Sequence, residues 1–172
     1  IVAMYAQLPA IRGVWETAPL QALAKLHTLV AVPVAAEDVG RPRTGDPQDP
    51  LRIGPAPDAT TVSPRLTDLA RRLTTPTEAP ALIVAAIVHA ELMTLQPFTY
   101  GSGLVVRGVD RLLLSSRGVD PDNWAVPEAG LHAQGRSAYA RSLRAYAQGD
   151  VVQWVGFYCS ALAEGTQGLA EL

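Results

Sequence analysis

Apolar residues recur at helical spacing over most of the chain. In Thr17–Ala31, TAPLQALAKLHTLVA, residues Leu20, Leu23, Leu26, His27 and Val30 fall three and four apart, which predicts an amphipathic helix with Thr17 as its N-cap. Ser63 followed by Pro64 is a serine N-cap with proline at the first helical position. Leu66, Leu69, Ala70 and Leu73 supply the apolar stripe of the helix that follows, which is expected to end near Thr74. Beyond Thr77 or Glu78, the run APALIVAAIVHAELMTL is apolar on nearly every side, the pattern of a central helix enclosed by others. Pro97 sets its end, because proline cannot donate to the helical ladder and disfavours helical backbone at the residue before it. Helical spacing resumes at Ser102 or Gly103 and stops at Gly118, a glycine C-cap. PDNWAVPEAGLHAQ is a connection holding a turn or a short helix. Two more helices are predicted over Gly135–Gln148 and Val151–Gly165, broken by Gly149 and capped by Asp150.

The first two helices are separated by a stretch from Val32 to Pro64 with many prolines and little periodicity, an exposed arm with at most a small β-hairpin around Leu51–Gly54. About six helices and no convincing sheet make this an all-α fold. It reads as one domain over residues 1–172: a helical N-terminal segment 1–31, a proline-rich arm and hairpin 32–62, and a helical core 63–165. With 172 residues, 48% of them hydrophobic, the chain can bury one substantial core.

Charge and cysteine narrow the function classes. Fourteen Lys and Arg against sixteen Asp and Glu give a net charge of -2, which argues for neither nucleic acid nor an anionic membrane as partner. Lys25 is the only lysine, a skew typical of a high-GC coding sequence, and a bacterial protein is expected. Cys159 is the only cysteine, which rules out an internal disulfide and a cysteine-rich zinc site and fits a reducing cytoplasm. No apolar run is long enough to span a bilayer, and the first residues lack a secretory pattern, so a cytoplasmic location is expected. No pair of histidines and carboxylates has metal-site spacing.

One stretch carries chemistry. LQPFTYGSGLVVRGVDRLLL, Leu95 to Leu114, ends a helix at Pro-Phe and opens the next on a glycine-rich turn. Free backbone N–H groups and the helix dipole at such a start favour an anion. Arg107 and Arg111 follow one turn apart on the same face, a salt-bridged stripe or, for Arg107, an anion contact.

With its flanks, this stretch resembles the signature of the Fic/Doc (Fido) superfamily, HPFx[DE]GNGRxxR. His89 lies seven residues before the motif's first position, where many Fic proteins carry histidine. RSAYARSLRAYAQGDVVQWVGFYCSAL is similar to the helices that follow the motif, and PLRIG to the flap segment that precedes it. The resemblance runs from about Leu51 to Leu162. It implies a Fido-type helical bundle with a central buried helix, and a parent activity that transfers AMP from ATP, with magnesium, to a protein hydroxyl.

Pro97, Phe98, Gly101, Gly103 and Arg107 match the motif, and four positions do not. Gln96 stands at the catalytic histidine, Tyr100 at the acidic metal ligand, Ser102 at the asparagine and Leu104 at the first arginine. Gln96 has no titratable group, so a general-base contribution of ~10²- to 10⁴-fold is lost. Tyr100 is a poor ligand for a hard dication, and Leu104 removes a guanidinium. What the resemblance implies here is therefore a catalytically impaired Fic domain. It would act as a regulatory or binding module with a vestigial nucleotide or anion site at Gly101, Ser102, Gly103 and Arg107. The alternative is an active, atypical nucleotidyltransferase with a non-standard base. No cofactor is required; ATP and magnesium follow only if the site is retained. A protein partner or target and a homodimer are the expected associations.

SALAEG, Ser160 to Gly165, matches a short inhibitory pattern of some Fic proteins, which implies a contact of Glu164 with Arg107. His89 reads as a core residue of the apolar helix, and His27 and His132 as surface or connector residues.

Overall fold

The computed structural model describes residues 2–30, 36–48 and 53–167, and among them it is all helical apart from connections. Eight α-helices follow in order: α1 Val2–Thr17, α2 Pro19–Val30, α3 Val62–Thr74, α4 Ala81–Leu95, α5 Ser102–Ser116, α6 Pro127–Ala133, α7 Arg136–Ala147 and α8 Val151–Gln167. Two short 3₁₀ turns, Ala36–Asp38 and Ala59–Thr61, interrupt the arm.

α4 is the centre, as its sequence requires. Ala85, Ala86, Val88, Ala90, Leu92 and Leu95 are all buried, so the helix is enclosed on several sides by α5, α7 and α8. α5 lies between α4 and the hairpin of α1 and α2. Gly108 on α5 admits that hairpin, because a Cβ there would stand 3.0 Å from Leu26 and 3.1 Å from the Met4 sulfur. Trp154 of α8 is wholly buried, and its Nε1–H donates to the carbonyl of Ala86 at 2.7 Å. Glu91 ties three helices together, accepting from Arg65 of α3 at 2.9 Å and from the Tyr146 hydroxyl of α7 at 2.6 Å.

The helix ends correct two caps. Thr17 closes α1 rather than capping α2, and its hydroxyl donates back to Gly13 at 3.0 Å. Pro19 then opens α2, because its missing N–H costs nothing in a first turn. Ser63 lies inside α3, whose start is set by a 3₁₀ turn capped by Asp58; the Asp58 Oδ1 accepts from the Thr60 N–H at 2.8 Å. Asp150 does cap α8, accepting from the Gln153 N–H at 3.1 Å. Gly118, at φ 73°, ends α5 with Val119 N–H donating to the Leu114 carbonyl at 2.9 Å. Leu51 and Arg52 of the expected hairpin lie outside the described residues, and Ile53 and Gly54 form no strand.

The tightest packing is between α6 and α8. A Cβ on Gly130 would fall 1.7 Å from the Ala161 carbonyl oxygen, and one on Gly165 would fall 2.7 Å from the Val126 oxygen. Backbone meets backbone here, and only glycine permits it. The contact holds the short α6 in place, and α6 supplies one wall of the site below. Gly130→Ala is expected to cost roughly 3 kcal/mol through overpacking, read as a fall in the thermal midpoint; an unchanged midpoint would mean that α6 does not pack this closely.

Candidate functional site

Residues 96–101 join α4 to α5, and the arm holds this loop in shape. Gln96 ends α4 in the left-handed region, φ 46° and ψ 66°, at a cost of roughly 1–2 kcal/mol for a non-glycine residue. Its carbonyl accepts from Arg43 Nε at 2.7 Å. The Arg43 guanidinium, only 3% exposed, also donates to the carbonyls of Leu95 at 3.3 Å, Pro57 at 2.6 Å and Gly45 at 2.8 Å. A helix C-terminus offers unpaired carbonyls and partial negative charge, which is what a buried cation needs. Burial lowers the Arg43 pKa, while Asp46 and Asp58 raise it from farther off. Backbone bonds continue the seam: Arg43 N–H donates to the Pro97 carbonyl at 2.9 Å and Gln48 N–H to the Thr99 carbonyl at 3.0 Å.

His27 supports the loop from the other side. It is fully buried, not a surface residue, because α2 packs it beneath the loop. Gly40 N–H donates to its Nδ1 at 2.8 Å, so the proton sits on Nε2 and is donated to the Tyr100 carbonyl at 3.0 Å. Burial lowers its pKa, which favours the neutral ring that this pattern requires. The ring stacks on Phe98 with centroids 4.0 Å apart and planes 7° from parallel. Ser102 turns back into the loop, its Oγ accepting from the Phe98 N–H at 3.2 Å. Gly101, at φ 79°, begins α5 with no side chain capping the helix.

These elements open onto a cavity of about 730 Å³. Gln96, Gly101, Ser102, Gly103 and Arg107, the residues named from sequence, all line it. Leu104 lines it too, an apolar side chain where the resemblance calls for a guanidinium. The opposite wall is α6 and α7, with Glu128, His132, Arg136 and Tyr139. Arg107 and Arg136 are exposed and form no ion pair among the described residues. Glu164 does not meet Arg107: it accepts from Gln134 Nε2 at 2.6 Å, because its place late in α8 faces the end of α6.

Behind the cavity lies a buried polar network that the sequence reading missed. His89, 2% exposed, pairs its Nδ1 with both oxygens of Asp110, at 2.9 and 3.1 Å, and its Nε2 stands 2.6 Å from the Tyr139 hydroxyl. Asp110, 1% exposed, also accepts from Tyr158 at 3.0 Å. Burial first, and the charge of Asp110 second, push both phenols upward in pKa. The signal for Asp110 was a lone carboxylate in the apolar stretch of α5.

A second cluster fixes the α6 wall. Glu128 Oε1 accepts from Tyr5 at 2.5 Å and from Arg111 at 3.0 Å, and Arg111 lies 4.7 Å over the Tyr5 ring. Burial, then the bond to Glu128, pushes the Tyr5 phenol up to about 12. Burial alone would raise the Glu128 carboxyl, but the bonds from Tyr5, its own backbone and Arg111 outweigh it and leave the carboxyl below its usual range. Arg111 is therefore a structural partner, and Arg107 alone of the two faces the cavity. Tyr100, at the position where the resemblance calls for an acidic metal ligand, lines the cavity and offers a phenol in place of a carboxylate.

No family model and no curated protein matches the sequence. Solved structures do match the fold. A Fic family protein from Desulfovibrio desulfuricans G20 superposes with a TM-score of 0.81 over 97% of this chain, at 24% identity. Fic-1 from C. elegans gives 0.75 over 99%, at 19% identity. The chain has the Fic fold. It spans about half the length of these two proteins, 51% and 49%. Within this Fic fold, no helix among the described residues is long and apolar enough to cross a membrane.

Two outcomes follow from the site's supports. Arg43→Ala is expected to cost about 3 kcal/mol, since it strips several buried carbonyls of a charged donor, and to raise hydrogen exchange in the last turn of α4; unchanged exchange there would contradict its tethering role. Glu128 has a depressed pKa in the folded state, so its contribution is present above the ordinary carboxyl pKa of about 4.3 and is lost as pH falls through the folded value. Glu128→Gln should therefore flatten the acid limb of stability against pH, measured by denaturant titration.

Proposed function

We propose that this Fic-fold chain is a binding module whose cavity takes a phosphate-bearing ligand over the start of α5, and that AMP transfer by the motif's own chemistry is impaired. One observation carries this reading. The cavity unites the glycine turn with Arg107, while Gln96, at the base position, is a buried amide with no proton-accepting group. The anion seat and the base position have thus been separated: the first is supported by an uncapped helix start and a free guanidinium, the second has lost its titratable atom. The module's role is regulatory, through another protein or a second copy of the chain.

A transferase with a different base is the second reading, and it draws on a single feature, the cavity-lining His89 held by Asp110.

Two measurements separate these readings. Millimolar ATP, ADP or pyrophosphate is expected to raise the thermal midpoint of the wild type by mass action, and Arg107→Ala to lose most of the rise. No stabilisation by any of the three would sink the ligand site. Incubation with α-labelled ATP and magnesium or manganese is expected to leave no label on any protein of a lysate; labelling that disappears in His89→Gln would instead establish the second reading.

A further inference from the structure

We infer that the Tyr139 hydroxyl is a ligand contact of this cavity, a hydrogen-bond donor to an anion held over α5, and that the buried His89–Asp110 pair sets whether it can donate. The inference rests on the phosphate-site reading above and adds a residue outside the glycine motif.

Asp110 is a carboxylate with almost no solvent contact, and such a charge is costly unless a cation or several donors face it. Its partners are His89 and the Tyr158 hydroxyl. His89 is thus the group that can supply the opposing charge at hydrogen-bond distance. When the imidazole is protonated, Nδ1–H donates to Asp110 and Nε2–H donates to the Tyr139 oxygen across 2.6 Å. The Tyr139 O–H must then point elsewhere, and no other partner for it exists among the described residues, while Tyr139 lines the cavity. An anion oxygen in the cavity is the acceptor that satisfies it. When the imidazole is neutral, Tyr139 donates to Nε2 instead and turns oxygen lone pairs on the cavity, which an anion avoids.

An anion in the cavity and the arrangement in which Nε2–H faces the Tyr139 oxygen therefore favour one another. Charged and titratable groups around the pair act on the same balance. Asp110 and Arg107 face it from α5, Tyr139 and Arg136 from α7 and Tyr158 from α8, with Glu128 and His132 of α6 across the cavity. Tyr139 also partly fills the gap left by Leu104, since it supplies a donor on the wall opposite the motif.

The probe is sulfate, a tetrahedral dianion, followed by NMR titration. Wild type is expected to bind sulfate saturably. Tyr139→Phe keeps the ring packed on Trp154 and Phe157, and is expected to weaken binding roughly tenfold. His89→Gln, which cannot carry a charge opposite Asp110, is expected to weaken binding as well. Sulfate binding that depends on Arg107 but is unchanged in Tyr139→Phe overturns this inference and leaves the phosphate site standing. Binding by His89→Gln equal to that of the wild type overturns the role of His89. Failure of the wild type to bind sulfate, with Arg107→Ala no different, removes the phosphate site and this inference with it.

Discussion

The C-terminal end of α4 is where this structure is decided. Pro97 stops the helix, Gln96 is driven into left-handed backbone, and a row of carbonyls is left unpaired in the interior. The Arg43 guanidinium fills that position and so converts an irregular arm into part of the core. Without that cation, the loop from Gln96 to Gly101 would lose its fixed shape, and the first turn of α5 would lose its orientation toward the cavity. The stacked His27 and Phe98 rings set the same loop from below. The site's geometry is thus imposed by residues that do not line it.

Function and fold separate at this loop. The residues at the turn, Pro97, Phe98, Gly101 and Gly103, match the Fic motif that the stretch resembles. The ones that would supply a base, a metal ligand and a first arginine are an amide, a phenol and a hydrocarbon chain. Ser102, at the asparagine position, turns its hydroxyl back into the loop, accepting from the Phe98 N–H at 3.2 Å. Arg107 remains from the motif, and further polar groups reach the cavity from elsewhere: Arg136 from α7, His132 from α6, and Tyr139 with the His89–Asp110 pair beside it.

Periodicity made the helical core legible, because α3, α4, α5, α7 and α8 each bury the stripe that their sequences carry. α1 was covered by the helical N-terminal segment 1–31 but given no bounds of its own, because Pro9 lies in its middle and no acidic first turn or basic last turn marks its ends. Two caps went astray for a common reason: a Thr or Ser one or two residues ahead of a proline reads as an N-cap, yet Thr17 ends α1 and Ser63 lies inside α3, whose start is set by the preceding turn. The glycine turn and Arg107 were readable because they are consecutive in sequence. Arg43 was not, since a single arginine between a proline and a threonine in a loop has no periodicity to mark it. The His89–Asp110–Tyr139 network joins three helices, and only tertiary structure brings such residues together. SALAEG misled because its glycine serves packing against α6, and its glutamate bonds to Gln134.

The most direct test of an anion seat at the start of α5 is a backbone amide NMR titration with pyrophosphate. The resonances of Ser102, Gly103 and the rest of the first turn of α5 should move together, saturably, and far more than those of α1 or α3. Saturable shifts confined to another part of the surface, with the first turn of α5 unmoved, would contradict it.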